Sequence, residues 1–139
     1  VLNDDLSLNV EKTILHSEKI IEQGCHGVAI FGSTGQAQLI PISEKISLLN
    51  KLSLSKDKKK FLIGTGMNSL GETINLMKVA ISLGFKKFLI MPPAYYKYED
   101  PEVIEFVCYS YCPLFIFSEL LFSESCFFIK YSSPPQTTY

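Results

Sequence analysis

An apolar strand pattern runs straight into Gly-Ser-Thr-Gly in "AIFGSTGQAQ", Ala29 to Gln38. The glycines let backbone N–H groups come close to a ligand, and Ser33 and Thr34 set two adjacent hydroxyls between them. Two further loops follow apolar runs: "GTGMN" after Ile63 and "PPAYYK" after Met91, the second carrying Tyr95 and Tyr96. Amides freed by glycine, paired hydroxyls and phenols suit a small anion such as a carboxylate, with groups at hand to move a proton. Lys130 closes the apolar run Cys126 to Ile129. At the mouth of a core its amine would lose its proton more readily and act as a nucleophile toward carbonyls.

Each feature also has a plainer reading. A Gly-Ser-Thr-Gly turn serves as a simple strand-to-helix connection, a strand-ending lysine snorkels to water, and one of two adjacent tyrosines packs. A phosphate loop does not fit, because no Gly-Lys-Ser/Thr follows, and the third glycine of the dinucleotide fingerprint is missing. His16 lies in a helical pattern and His26 just before a strand, and neither is given a role.

The elements that must position these groups repeat as strand, loop and helix. Asn9 caps a predicted helix from Val10 to Gln23, stopped by Gly24. "GVAIF", Gly27 to Phe31, is a continuous apolar run of the kind buried on both faces. Ser43 is expected to open a second helix with Ile46, Leu48, Leu49 and Leu52, before the strand "FLIG", Phe61 to Gly64. Ser69 and Glu72 form a capping box for a third helix that ends at Gly84, followed by the strand "KFLIM", Lys87 to Met91. Asp100, Pro101 and Glu102 start another helix. "PLFIF" at Pro113 to Phe117 and "CFFIK" at Cys126 to Lys130 are the last strand candidates, with a short helical stretch near Ser118 to Ser123. Strands separated by single helices must pair in parallel through right-handed crossovers. Both an open doubly wound sheet and a closed (β/α)₈ barrel satisfy that pattern, and each gathers its working loops at the carboxyl ends of the strands.

Composition narrows the classes. With 139 residues, 47% of them hydrophobic, the chain suits one globular domain, 1–139. Fourteen acidic against 13 basic side chains leave a net charge of -1 and no electrostatic case for nucleic acid. The cationic stretch Lys56 to Lys60 reads as a solvated loop. Cys25, Cys108, Cys112 and Cys126 read as reduced buried thiols, since neither a signal peptide nor a short disulfide-rich layout is seen. Cys108 and Cys112 would share a helix face, but zinc needs about four ligands and His16 and His26 lie far upstream, so ordinary buried cysteines are the plainer reading. The apolar stretch from Val103 to Ile129 is broken by Glu105, Pro113, Glu119 and Glu124, so no membrane span is expected.

Three motifs in order and spacing, "GSTGQAQLIPISEK", "LIGTGMNSLGETINL" and "FLIMPPAYYK", resemble the dihydrodipicolinate synthase and N-acetylneuraminate lyase family of Schiff-base aldolases. The likeness is good from about Asn3 to Val107. It implies an α/β fold, a (β/α)₈ barrel or, here, a partial barrel of about five to six βα units. It also implies no metal or organic cofactor and a homo-oligomer, usually a dimer of dimers, while the reduced thiols point to a cytoplasmic location. A family lysine forms an imine with pyruvate or a pyruvoyl substrate, for condensation with an aldehyde or for the reverse cleavage; "IKYSS", Ile129 to Ser133, resembles that motif and assigns the role to Lys130. The first hydroxyl of the glycine turn enters a proton relay and the second binds the carboxylate, which assigns Ser33 and Thr34. A tyrosine after the Pro-rich turn completes the relay, matching Tyr95, with Tyr96 as the neighbouring alternative.

The sequence departs from the family pattern in several places. No first strand precedes the Asn9 helix, "SELLFSES" stands where a Tyr-Asn-x-Pro tyrosine is expected, and the chain stops soon after the lysine motif. Gln36 replaces the usual glutamate and Tyr131 the acidic residue after the lysine. An incomplete family member is therefore expected. The alternative functions are a non-catalytic remnant that associates with intact relatives and a small doubly wound anion-binding module.

Overall fold

The computed structural model describes residues 1–91, 99 and 101–106. Three helices and three strands alternate: α1 (Val10–Glu22), β1 (Val28–Ile30), α2 (Ile42–Leu52), β2 (Phe61–Gly64), α3 (Leu70–Ser82) and β3 (Phe88–Leu89). Short 3₁₀ turns at Ala37–Leu39 and Lys58–Lys60 lead into α2 and β2.

Helix starts follow local chemistry. The Asn9 side chain accepts a 2.9 Å hydrogen bond from the Lys12 N–H, and the chain leaves α1 through Gly24 at φ 103°, a left-handed step glycine makes without strain. Ser69 caps α3 by accepting from the Glu72 N–H at 3.4 Å. The expected Ser43 cap of α2 is corrected: Pro41 holds the cap position and supplies no side-chain bond. Proline fixes an extended entry and ends the preceding 3₁₀ turn, which leaves Ser43 exposed inside the first turn. At residues 101–106 the backbone is helical; the Glu99 carbonyl accepts from the Val103 N–H, and the Glu102 carboxylate returns to the Glu99 N–H at 2.9 Å. The predicted cap, Asp100, lies outside the described residues.

All three strands are parallel and adjacent in chain order, β1-β2-β3, with Ile30 beside Ile63 and Ile63 beside Phe88. Side chains alternate between the two faces of a strand. Ile30, Phe61, Ile63 and Phe88 form one core with Leu48, Leu49 and Leu52 of α2 and Leu76, Met77 and Ala80 of α3. The helices pack side by side over that face. Ala29, Leu62, Gly64 and Leu89 line the other, and there Ala29 is exposed. Consecutive parallel strands with their helices on one face make up a sector of barrel wall.

Strand ends differ from the predicted spans for physical reasons. β1 stops at Ile30 because Phe31 turns to φ 65°, which ends pairing before the glycine turn. Lysine-rich residues 56–60 form a turn at the surface, with Lys60 paired to Asp57 at 2.9 Å and Lys58 donating to the Leu83 carbonyl. The strands proposed at Pro113 to Phe117 and Cys126 to Lys130 lie outside the described residues, as do Cys108, Cys112 and Cys126 and the helical stretch near Ser118 to Ser123.

Candidate functional site at the carboxyl ends of the strands

Phe31 is where the site begins. A bulky residue at φ 65° is unusual, and Gly64 on the neighbouring strand explains how it is accommodated. A side-chain carbon at Gly64 would meet the Phe31 carbonyl oxygen at 2.2 Å, so the backbone leaving β1 crosses over ground that only glycine leaves empty. The chain then turns through Gly32 to Gly35, with the Gly35 N–H on the Gly32 carbonyl at 3.1 Å and the Gln36 N–H on the Ser33 carbonyl at 3.0 Å. Gln36 repeats the left-handed conformation at φ 54°.

This turn presents its hydroxyls. Ser33 and Thr34 are both exposed, and neither side chain hydrogen-bonds to a described residue. Ser33, Gln36, Ala37, Gln38, Leu39 and Met91 surround a cavity of about 240 Å³. Met91 follows β3, and its side chain also lies against Gly66, where an added side-chain carbon would come within 3.0 Å of it. The loops after β1, β2 and β3 therefore converge around Met91. Thr34 stands on the same turn but does not line the cavity.

The second glycine turn differs. Thr65 and Gly66 are buried; the Thr65 hydroxyl donates to the Leu89 carbonyl at 3.3 Å, and the Thr73 hydroxyl donates to the Thr65 carbonyl at 3.4 Å. "GTGMN" is thus a structural connection at Thr65, although the sequence groups it with the anion loops.

Lys45 is the residue that sequence reasoning missed. Its side chain is fully buried, its Nζ has no hydrogen-bond partner among the described residues, and it lies 5.6 Å from the centre of the Phe31 ring. Burial pushes its pKa below the ordinary lysine range, and the negative charge of Glu72 on α3 partly opposes that. A signal was available in the sequence, since Lys45 heads the stripe Leu48, Leu49, Leu52 at i, i+3, i+4 and i+7.

Tyr95, Tyr96 and Lys130 lie outside the described residues, so Ser33 and Thr34 are the predicted site residues placed here. No three His, Cys, Asp or Glu side chains among the described residues stand together as metal ligands.

Comparison with known proteins locates this architecture. Residues 4–108 match the model of the dihydrodipicolinate synthetase family. An uncharacterized DapA-like lyase from Chloroflexus aurantiacus is 35% identical over 81 residues, 58% of this chain and 27% of the relative. A probable mitochondrial 4-hydroxy-2-oxoglutarate aldolase from Emericella nidulans is 32% identical over 101 residues, 68% of this chain and 32% of the relative. Among solved structures, YagE, a prophage protein of the dihydrodipicolinic acid synthase family from E. coli K12 in complex with pyruvate, superposes with a TM-score of 0.71 at 23% identity. That superposition covers 79% of this chain and 37% of YagE. The chain spans about a third of the length of the curated relatives it matches, and the structural likeness makes its sheet part of a (β/α)₈ barrel.

Proposed function

The chain belongs to the dihydrodipicolinate synthetase family, and from that premise we propose that it is part of a lyase that handles pyruvate, or a pyruvoyl substrate, through an imine on Lys130. The neutral amine attacks the keto carbon, and loss of water leaves the carbon–nitrogen double bond. In this reading Thr34 and the backbone N–H groups of the glycine turn receive the carboxylate, while Ser33 and Tyr95 pass protons to and from the reacting carbon. The second substrate is an aldehyde, or one is released on cleavage. The protein uses no cofactor, works in the cytoplasm and associates with further copies of itself.

One observation carries the reading: Ser33 reaches the 240 Å³ cavity with its hydroxyl free of partners among the described residues, at the carboxyl end of a barrel strand. A hydroxyl meant only to stabilise a turn would be hydrogen-bonded, as Thr65 is. Lys130 lies beyond the segment that matches the family model, so its role rests on the "IKYSS" motif.

Incubation with pyruvate and borohydride, followed by intact-mass measurement, tests the assignment with Lys130→Ala as control. A reduced pyruvate adduct on the parent chain and none on the variant is the expected result. Absence of an adduct on a folded sample would replace this reading with that of a non-catalytic chain that pairs with intact relatives.

A further inference from the structure

Lys45 has no place in the chemistry above, yet its setting is costly. A lysine buried without a hydrogen-bond partner among the described residues loses hydration that no hydrogen bond there replaces. A methionine would fill the same stripe on α2 without that penalty. The amine instead lies against the ring of Phe31, the left-handed residue directly before Gly32, Ser33 and Thr34. An aromatic face attracts a cation, and the attraction grows where water is excluded.

Those glycine-turn residues carry no positive charge of their own. A carboxylate held there by hydroxyls and amides alone would gain from a cation placed behind the turn. Resting on the lyase reading for its choice of ligand, we propose that Lys45 is a positioning residue for the anion-receiving turn: through the Phe31 ring it fixes the backbone that presents Gly32 to Thr34, and its ammonium supplies the charge that draws a keto-acid carboxylate to them.

Lys45 stands on α2, which packs against α1 and α3. From α3, Glu72 faces it. Its neighbour on α2, Glu44, is taken by the Leu8 N–H at 2.8 Å. The strand residues of β1 and β2 carry no titratable side chain. On α1, Glu11 and Glu18 meet Lys51 and Ser55 toward the far end of α2. Carboxylate binding favours the protonated amine, so affinity should be higher at lower pH and should fall as pH rises past the point where Lys45 loses its proton.

Amide resonances of Gly32, Ser33 and Thr34, followed from neutral to alkaline pH in the parent chain, Lys45→Met and Lys45→Arg, test the placement of the charge without any ligand. The expected result is a shared step below the ordinary lysine range in the parent, absent from both variants, with Lys45→Arg remaining at the parent's low-pH positions. Pyruvate titration should show about tenfold weaker binding in Lys45→Met, retained binding in Lys45→Arg, and a parent affinity that drops across the same step. Turn resonances that do not titrate, or that titrate equally in Lys45→Arg, would overturn the proposal, and the second comparison holds even if Lys45→Met does not fold. A turn that titrates with Lys45 but takes up pyruvate at no pH supports the placement of the charge and sinks the lyase reading instead.

Discussion

The two strand-to-helix units at the centre of the molecule share one plan and differ at each polar position. In both, a glycine-containing turn joins a strand to a helix whose fourth residue is polar and heads a buried apolar stripe: Lys45 before Leu48, Leu49 and Leu52, and Thr73 before Leu76, Met77 and Ala80. In the unit β2 to α3 each of these groups is satisfied. Ser69 caps the helix, Thr73 bonds the Thr65 carbonyl, and Thr65 bonds Leu89. The unit from β1 to α2 satisfies almost none. Its cap is a proline, Lys45 has no hydrogen-bond partner among the described residues, and the hydroxyls of Ser33 and Thr34 face solvent. Since buried polar groups are nearly always paired, the contrast sets a connection whose polar groups are used within the fold against one whose polar groups are left for the binding role proposed above.

The largest expected effect breaks the seam between the two units. Gly64→Ala puts a methyl carbon 2.2 Å from the Phe31 carbonyl oxygen, and because the clashing atom is backbone, relief requires either β2 or the glycine turn to move. A loss of about 3 kcal/mol is expected, read from the midpoint of urea unfolding. An unchanged midpoint would mean that the two turns are not locked together through Gly64.

Replacing Lys45 sharpens the comparison with an effect of opposite sign. Folded Lys45 holds its proton less tightly than the unfolded chain does, so between its lowered pKa and about 10.4 the unfolded state binds more protons and stability rises with pH. Below that window the full cost of burying the charge is present. Lys45→Met should therefore be more stable than the parent at neutral pH, by about 1 kcal/mol, and should lack the alkaline rise. Equal stability profiles for the two proteins would show that Lys45 is already compensated. A variant gaining stability while losing affinity for pyruvate would fit a residue retained for function.

Legibility of the molecule in its sequence divides along the same seam. Helix starts with side-chain caps, Asn9 and Ser69, were readable because a short polar side chain at that place has one good use. β2 was readable to the residue, being a continuous apolar run between polar turns. Serine at position 43 misled because proline two residues earlier sets the backbone before any hydroxyl acts. The end of β1 was not readable, since φ 65° at Phe31 depends on Gly64, some thirty residues away and on another strand. Ser33 and Thr34 stood out by the glycines around them, whereas nothing local distinguishes Thr65 in a similar setting; burial beneath Leu89 is a tertiary fact. Lys45 is visible at the head of the stripe, but a charged residue at one apolar position reads as the stripe's edge.

A smaller effect belongs to the satisfied turn. Thr65→Val keeps the shape and removes the hydroxyl, and the Leu89 carbonyl still accepts from the Thr65 N–H at 2.9 Å, so no acceptor is orphaned. The expected loss is about 1 kcal/mol in the unfolding midpoint, with pyruvate affinity unchanged. A drop in affinity with intact stability would move the second turn from structure into the site.

Ser33→Ala and Thr34→Ala should scarcely alter stability. Both residues are exposed, neither side chain hydrogen-bonds to a described residue, and the turn's own bonds run between backbone atoms: Gly32 with Gly35 and Ser33 with Gln36. Surface substitutions of this kind fall within about 0.5 kcal/mol. On the lyase reading the two diverge in function: Thr34→Ala weakens pyruvate binding, while Ser33→Ala leaves binding largely intact and slows formation of the borohydride-trapped adduct. That divergence distinguishes a proton-moving hydroxyl from a carboxylate-holding one, because a group that acts only as protons move contributes little to the bound ground state. If both variants instead unfold as readily as Gly64→Ala, the hydroxyls serve the fold, and the contrast between the two turns disappears.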